Sequence, residues 1–180
     1  ERATFLCETL GLDIIKIASS ELLNFPLLDY VNNHVDTVLL STGMATLSEI
    51  QTALDHLTTV KKTYILHCTT QYPCQDSDSN LSAITTMINS FPGYSIGYSD
   101  HTIGITASVA AVSIGATVIE KHFTDNNLRK GPDHYFSMNP KTWKEMVNES
   151  RKLENMLGDG KKKIENNETK SVIVQRRSIR

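Results

Sequence analysis

The sequence predicts a parallel α/β fold and, within that class, a partial (β/α)8 TIM barrel of about its last five βα units. Short apolar, β-branched runs alternate along the chain with segments of helical periodicity, which is typical of βαβ units and a parallel sheet. Polar residues stand at the end of every run, and barrel enzymes carry their active sites at the carboxyl ends of several strands. The competing doubly wound sheet usually has a G-x-G-x-x-G turn after its first strand, and this sequence contains none.

Each predicted strand is a short run rich in Ile, Val, Leu or Thr, and the runs are residues 14–18, 37–42, 63–68, 95–99 and 116–123. The predicted helices have apolar residues at helical spacing and occupy residues 26–33, 47–57, 81–91, 105–114 and 140–157. Two helix starts carry local signals, since Thr46 and Glu49 form a capping box and Pro140 follows Asn139 in a first turn. Closed eight-stranded barrels typically need about 250 residues, so this chain of 180 is interpreted as five-eighths of one.

The predicted domain organisation is a barrel portion over residues 1–160 and a linker over residues 161–180. The linker prediction rests on the polar composition that begins with three lysines at Lys161. Because the chain begins at Glu1 without an initiator Met and enters a predicted helix directly, we interpret it as part of a longer protein. As a separate piece it is expected to expose unpaired strand edges and to be inactive.

The composition indicates a globular protein with no nucleic-acid or membrane partner. Hydrophobic residues make up 39% and charged residues 21%, and the net charge of -2 leaves no basic footprint. No apolar run approaches the ~20 residues of a membrane span. The three cysteines (Cys7, Cys68 and Cys74) form an odd set without C-x-x-C spacing, which favours a reducing cytoplasm over a disulfide framework.

Two matched pairs of polar residues end the last two predicted strands. Ser99 and His101 are two residues apart, as are Glu120 and His122, so each pair shares one face of its strand. If the two strands are neighbours, both imidazoles converge beside a carboxylate. Two imidazoles with a carboxylate or waters suit Mn²⁺, Fe²⁺, Co²⁺ or Zn²⁺, while hydrogen-bonded structural histidines are the alternative interpretation.

Lys16 lies inside an otherwise apolar strand, where an ammonium group is costly unless it meets an anion. Such an anion, a phosphate or a carboxylate, would also accept hydrogen bonds from the hydroxyls of Ser19, Ser41 and Ser99 at neighbouring strand ends. The alternative for Lys16 is an edge-strand lysine that reaches solvent. The Gly-Pro-Asp-His string at residues 131–134 predicts a tight turn that presents its last two side chains, with an ordinary solvated turn as the alternative.

Seven strings resemble the N-acetylneuraminate (sialic acid) synthase family, including its legionaminate-type members, in that family's order and spacing. They are Lys16-Ile-Ala-Ser19, Leu40-Ser-Thr-Gly-Met44, Leu66-His-Cys-Thr69 with Tyr72-Pro73, Gly97-Tyr-Ser-Asp-His-Thr102, Ile119-Glu-Lys-His-Phe-Thr124, Gly131-Pro-Asp-His134 and Arg176-Arg-Ser178. Each string alone is a weak signal, whereas seven in register across nearly the whole chain are a strong one.

The resemblance implies a transferase that condenses phosphoenolpyruvate with an N-acyl amino sugar and water, giving a sialic-acid-type nonulosonate and phosphate. The acceptor would be N-acetylmannosamine or a 6-deoxy di-N-acetyl analogue. It also implies a divalent ion, chiefly Mn²⁺ with Mg²⁺ or Co²⁺ as alternatives, held by residues that match His101 and His122. A homodimer with an antifreeze-like C-terminal domain is implied for the full-length protein.

The resemblance further implies roles for individual residues. Glu120 and Lys16 match catalytic positions, with Glu120 stabilising cationic character or managing a proton and Lys16 holding the donor. The positions that match substrate-binding residues are Lys16, Ser19, Ser41, Thr70, Tyr72, Ser99 and Asp133. Among them, Tyr72 and Asp133 match contacts to the sugar, and Lys16 and the serines match contacts to phosphoenolpyruvate.

Two other interpretations stay open at this point. Another phosphoenolpyruvate-using barrel, such as a 3-deoxy-heptulosonate synthase, would use a divalent ion and the same donor but would lack the turn at residues 131–134. A non-catalytic, degenerate barrel is the second alternative. The presence of Lys16, His101, Glu120 and His122 together argues against it.

Overall fold

The protein, in a computed structural model that describes residues 2–176, contains one sheet of five parallel strands. In order across the sheet, which is also chain order, the strands are β1 (Ile14–Ile17), β2 (Thr37–Ser41), β3 (Lys62–Cys68), β4 (Ser95–Asp100) and β5 (Ile119–Lys121). Unbroken chain order belongs to a barrel sector, whereas a doubly wound sheet reverses its order at a switch point. The predicted partial barrel is therefore confirmed as a half-barrel.

Helices connect the strands and cover one face of the sheet. In chain order they are α1 (Arg2–Thr4), a π-helical turn (Phe5–Thr9), α2 (Phe25–Asn32), α3 (Leu47–Asp55), α4 (Ser82–Ser90), α5 (Thr106–Ser113), α6 (Pro140–Leu157) and α7 (Thr169–Gln175), with 3-10 turns at Ser19–Glu21, Asp76–Asp78 and Asn166–Glu168. The predicted helices agree with α2 to α6 to within two residues at each end. Within the described residues, no helix combines the length and apolar character that a membrane crossing requires.

Both predicted helix starts are confirmed by their hydrogen bonds. At the start of α3, the Thr46 backbone N–H donates to Glu49 Oε2 (2.7 Å), and the Glu49 N–H donates to Thr46 Oγ1 (3.3 Å). These bonds favour the charged carboxylate, so the pKa of Glu49 lies below its usual value. At the start of α6, Asn139 Oδ1 accepts from two backbone N–H groups ahead of it, and Pro140 occupies the first turn.

The last predicted strand is shorter than expected, since residues 116–123 contain only the three residues of β5. After β5 the chain leaves β4 and pairs with Met138, whose N–H donates to the His122 carbonyl (2.8 Å). The Met138 carbonyl accepts from the Thr124 N–H (2.7 Å). This alternative pairing satisfies the backbone that an extended β5 would otherwise present to β4.

The hydrophobic core lies between the convex face of the sheet and the helices. Alternate strand residues point into it, among them Ile15, Ile17, Val38, Leu40 and Ile65. The residues between them point to the concave face, because successive side chains of a strand alternate. The polar strand residues that reach the concave face include Lys16, Ser41, Ser99 and Glu120.

Two sequence predictions concern the ends of the chain. On its outer side β1 has no neighbouring strand among the described residues, and Ile14 is 59% exposed there, as expected of an unpaired edge. In the predicted linker, residues 161–165 carry no regular structure before the turn at Asn166–Glu168 and α7. Arg177 and Ser178, the end of the seventh string, lie outside the described residues.

Candidate active site

A pocket of about 310 Å³ opens on the concave face, at the carboxyl ends of the strands. All five strands or the residues directly after them contribute to it. The lining residues are Lys16, Ala18, Ser19, Ser41, Cys68, Tyr72, Ser99, His101, Glu120, Lys121 and His122. Strand register explains part of this set, because Ser99 pairs with Cys68 on one side and with Glu120 on the other.

The charged part of the pocket is an ion pair between residues of the first and last strands. Lys16 Nζ lies 3.3 Å from Glu120 Oε1, and the Ser41 hydroxyl donates to Glu120 Oε2 (3.3 Å). The two side chains remain 32% and 37% exposed, so an incoming ligand has access to both. The predicted buried lysine is thus a partly exposed lysine of an edge strand, and its ammonium group points into the pocket.

The two histidines lie together, as the spacing of their strands predicts. Their ring centroids are 5.3 Å apart, and the rings meet edge to face at 70°. His101 Nδ1 lies 2.8 Å from the Thr69 carbonyl oxygen. Because a carbonyl only accepts, Nδ1 acts as the donor here, and Nε2 is the ring nitrogen left for a ligand.

His122 lies closer to solvent than His101 and faces Asp133, with 3.8 Å between Nδ1 and Oδ2. Partial burial and, secondarily, the neighbouring His101 lower the pKa of His122. Both effects disfavour the imidazolium and therefore favour the neutral ring that binds metals.

The donor set fits a divalent ion only in part. Two neutral imidazoles suit Mn²⁺, Co²⁺ or Zn²⁺, and a backbone carbonyl that orients one of them is a common feature of metal sites. Within residues 2–176, however, no group of three or more His, Cys, Asp or Glu residues is arranged to hold an ion. The remaining ligands would have to be water, substrate or residues beyond this chain.

Aromatic contacts place Tyr72 over the histidines. Its ring centroid lies 4.2 Å from that of His101 and 5.6 Å from that of His122. Half of Tyr72 is exposed, so its ring forms a wall of the pocket that a ligand can reach.

Asp133 lies at the rim of the pocket, held by the backbone of its loop. Its carbonyl accepts from Ser137 Oγ (2.6 Å) and from the Ser137 N–H (3.2 Å). The neighbouring His134 differs from the prediction, since the turn does not present it to the site. Its Nδ1 instead bonds Thr124 Oγ1 (2.8 Å) within the loop.

Thr70 is not one of the residues that line the pocket, and its hydroxyl is buried without a hydrogen-bond partner among residues 2–176. It packs against Gly43, where a Cβ would stand 2.1 Å from Thr70 Oγ1 and 2.9 Å from Ser19 Oγ. The Gly43 N–H also donates to Ser19 Oγ (2.9 Å). Glycine at this position therefore allows the loops after β1, β2 and β3 to converge and orients the Ser19 hydroxyl.

Sequence reasoning missed two features of the site. Cys68 lines the pocket with its Sγ 3.9 Å from His101 Nδ1, which its place at the end of β3 could have indicated. Asp100 and Lys121 form a buried ion pair (2.8 Å) beside the histidines. No pattern in one sequence distinguishes this pair from exposed charges.

Lysine, carboxylate, hydroxyl and imidazole groups thus lie together at the carboxyl ends of the strands of a half-barrel. This is the position at which barrel proteins carry their active sites. The model of the NeuB family matches residues 1–162, and the chain belongs to that family. It is 41% identical over 178 residues to the N,N'-diacetyllegionaminic acid synthase of Campylobacter jejuni, a match covering 97% of this chain and 53% of that protein. The chain thus spans about half the length of this relative.

Solved structures give the same result. The N-acetylneuraminic acid synthetase of Leptospira borgpetersenii, solved with citrate, superposes with a TM-score of 0.84 at 36% identity, over 93% of this chain and 59% of that one. A truncated 3-deoxy-D-arabino-heptulosonate 7-phosphate synthase from Thermotoga maritima has a TM-score of 0.67 at 26% identity, over 81% of this chain and 60% of that one. The resemblance to sialic acid synthases is confirmed, and the similarity to the heptulosonate synthase is weaker.

Proposed function

We propose that this chain forms the donor and metal half of a synthase that condenses phosphoenolpyruvate with an N-acyl amino sugar and water. The products are a sialic-acid-type nonulosonate and inorganic phosphate. The observation that carries the proposal is the single pocket in which the Lys16–Glu120 pair and the two histidines lie together. Family membership supports the same reaction class.

The cationic and hydroxyl side of the pocket suits the donor. Phosphoenolpyruvate carries a phosphate and a carboxylate, and Lys16 supplies a cation that is already oriented by Glu120. Ser19, Ser41 and Ser99 place hydroxyl groups around it on the same concave face. Charge-assisted hydrogen bonds of this kind are about twice as strong as neutral ones.

The reaction forms a carbon–carbon bond and a carbon–oxygen bond to water, and it breaks the carbon–oxygen bond to phosphate. The methylene carbon of phosphoenolpyruvate attacks the aldehyde carbon of the open-chain sugar, whose oxygen takes up a proton to become a hydroxyl. Water adds to the carboxyl-bearing carbon and releases a proton, and phosphate leaves from that carbon. We assign to the Glu120 carboxylate, which borders the pocket beside Lys16, the stabilisation of cationic character at that carbon or the acceptance of the proton of the added water. Tyr72 and Asp133 flank the opposite side of the pocket, where the sugar would bind.

Attack on the aldehyde carbon is aided by a Lewis acid, and His101 and His122 would hold the divalent ion that serves as one. Mn²⁺ is the proposed ion, with Mg²⁺ or Co²⁺ as alternatives, and when bound it would polarise the aldehyde oxygen. We further propose that the full-length protein acts as a homodimer in the cytoplasm. The proposed acceptor is N-acetylmannosamine or a 6-deoxy di-N-acetyl hexose. The 41% identity to a diacetyllegionaminic acid synthase is the reason for including the second sugar.

Phosphate release tests the proposal directly. The full-length protein that carries this chain is supplied with phosphoenolpyruvate, Mn²⁺ and each sugar in turn, with and without EDTA. Release that needs both substrates and stops with EDTA is the expected result, and the productive sugar identifies the acceptor. Release only with an aldose phosphate would indicate a heptulosonate-type synthase, and no release with any acceptor would overturn the proposed activity.

A further inference from the structure

The most deeply buried charges of the described chain lie directly beside the two histidines. Lys121 Nζ and Asp100 Oδ2 are 2.8 Å apart, and their side chains are 1% and 0% exposed. Removing two ions from water is costly, and well-packed apolar residues of similar volume often replace such a pair without loss of stability. General stability is therefore a weak explanation for this pair.

Both oxygens of Asp100 and the ammonium group of Lys121 have hydrogen-bond partners. Asp100 Oδ1 accepts from the N–H and the hydroxyl of Thr102 (2.8 Å each), and Oδ2 also accepts from the Ser108 hydroxyl (2.5 Å). Lys121 Nζ donates to the Thr102 carbonyl (2.6 Å). The pair therefore joins β4, the turn after it, the helix α5 and β5 into one hydrogen-bonded unit.

Strand register places this unit between the groups of the proposed site. Asp100 pairs with Lys121, one step beyond the pairing of Ser99 with Glu120. Because side chains alternate, the charged groups of Asp100 and Lys121 are buried in the layer behind Ser99, His101, Glu120 and His122, although part of Lys121 still borders the pocket. The pair thus fixes the relative position of the two strand ends without competing for ligand.

We propose that Asp100 and Lys121 are positioning residues that set the separation of His101 and His122. With Asn and Met in these positions, the turn at Thr102 would lose the bond from Lys121 Nζ, and the two strand ends would lose the ion pair that links them. This inference rests on the proposed function for its consequence in metal binding. The ring separation itself is a structural quantity that is independent of that function.

The test neutralises the pair in the full-length protein with Asp100→Asn combined with Lys121→Met, which avoids an unpaired buried charge. The matched control is Asp36→Asn with Lys61→Met. These two residues form an exposed ion pair (2.7 Å from Nζ to Oδ2) just before the amino ends of β2 and β3, away from the pocket. We expect the first variant to bind Mn²⁺ about 10- to 100-fold more weakly, as supporting partners of metal ligands typically do. Its KM for phosphoenolpyruvate should stay within about twofold of the parent value.

Three further readouts complete the test. In a crystal structure of the neutralised variant, we expect the histidine ring centroids to depart from their 5.3 Å separation, and an unchanged separation with unchanged Mn²⁺ affinity would overturn the inference. If the double variant does not fold, Ser108→Ala removes one bond to Asp100 and should still weaken Mn²⁺ binding several-fold. A parent protein that binds no Mn²⁺ would overturn the metal chemistry of the proposed function, and the ring separation would then decide the positioning claim alone.

Discussion

Lys16 Nζ lies 3.3 Å from Glu120 Oε1, although their strands are the first and last of the sheet. Four strand spacings of about 4.8 Å would separate the two backbones by roughly 19 Å in a flat sheet. Contact between these side chains therefore requires strong curvature. The same curvature makes the concave face into a pocket. The ion pair is therefore evidence both for a barrel-like sheet and for a pocket on its concave face.

Replacing Lys16 should weaken donor binding more than it slows the reaction. In the full-length protein, we expect Lys16→Met to raise the KM for phosphoenolpyruvate by about 10-fold or more, because the cation facing the phosphate and carboxylate is lost. The matched control is Lys62→Met, since Lys62 is an exposed lysine at the amino end of β3. Steady-state kinetics distinguish the two, and equal KM values would remove Lys16 from the donor site.

Replacing Glu120 should slow the reaction without weakening the binding of phosphoenolpyruvate. Glu120→Gln keeps the shape and removes the charge, so we expect kcat to fall by about 100-fold or more. The KM for phosphoenolpyruvate should fall or stay constant, because Lys16 loses a competing anionic partner. A variant with the parent kcat would show that Glu120 only orients Lys16.

Removing either histidine should remove metal binding without unfolding the protein. We expect His122→Ala to abolish detectable Mn²⁺ binding in an electron paramagnetic resonance titration and to reduce phosphate release to background. His34→Ala is the control, because His34 lies on the outer helix layer and stacks on Tyr30. Mn²⁺ binding that survives in His122→Ala would place the metal ligands elsewhere.

A side chain at Gly43 should disrupt the convergence of three loops. Gly43→Ala puts a Cβ 2.1 Å from Thr70 Oγ1, so we expect a loss of roughly 1–3 kcal/mol in the free energy of unfolding. Adding Thr70→Ala removes that oxygen and should restore part of the loss in a double-mutant cycle. Additive effects of the two substitutions, measured by urea denaturation, would contradict this explanation.

Acid should destabilise the fold through His67. This residue is buried beneath the β3–α4 connection with its Nε2 2.9 Å from the Ser79 carbonyl, and desolvation lowers the pKa of His67 below its ordinary 6.5. Below about pH 6.5 the unfolded chain therefore binds a proton that the folded chain does not, and the free energy of unfolding falls as the pH drops. Urea denaturation from pH 8 to pH 5 should show this slope, and His67→Gln should flatten it.

Local patterns were sufficient for much of the fold. Alternating apolar runs and helical periodicity located all five strands, and hydrogen-bonding signals at Thr46 and Asn139 located two helix starts. These features depend on neighbours a few residues apart, so one sequence contains them. The spacing of His101 and His122 likewise predicted their approach, because strand alternation and parallel neighbours leave few other arrangements.

Other contacts between distant residues were decided by the tertiary structure. The sequence by itself determined which residues end each strand, but the curvature of the sheet decided that Lys16 meets Glu120. Packing decided that His134 turns into its loop and that Thr70 packs against Gly43. It also decided that Asp100 and Lys121 are buried together. Each of these outcomes depends on how layers of the fold pack against one another, and no local periodicity carries that information.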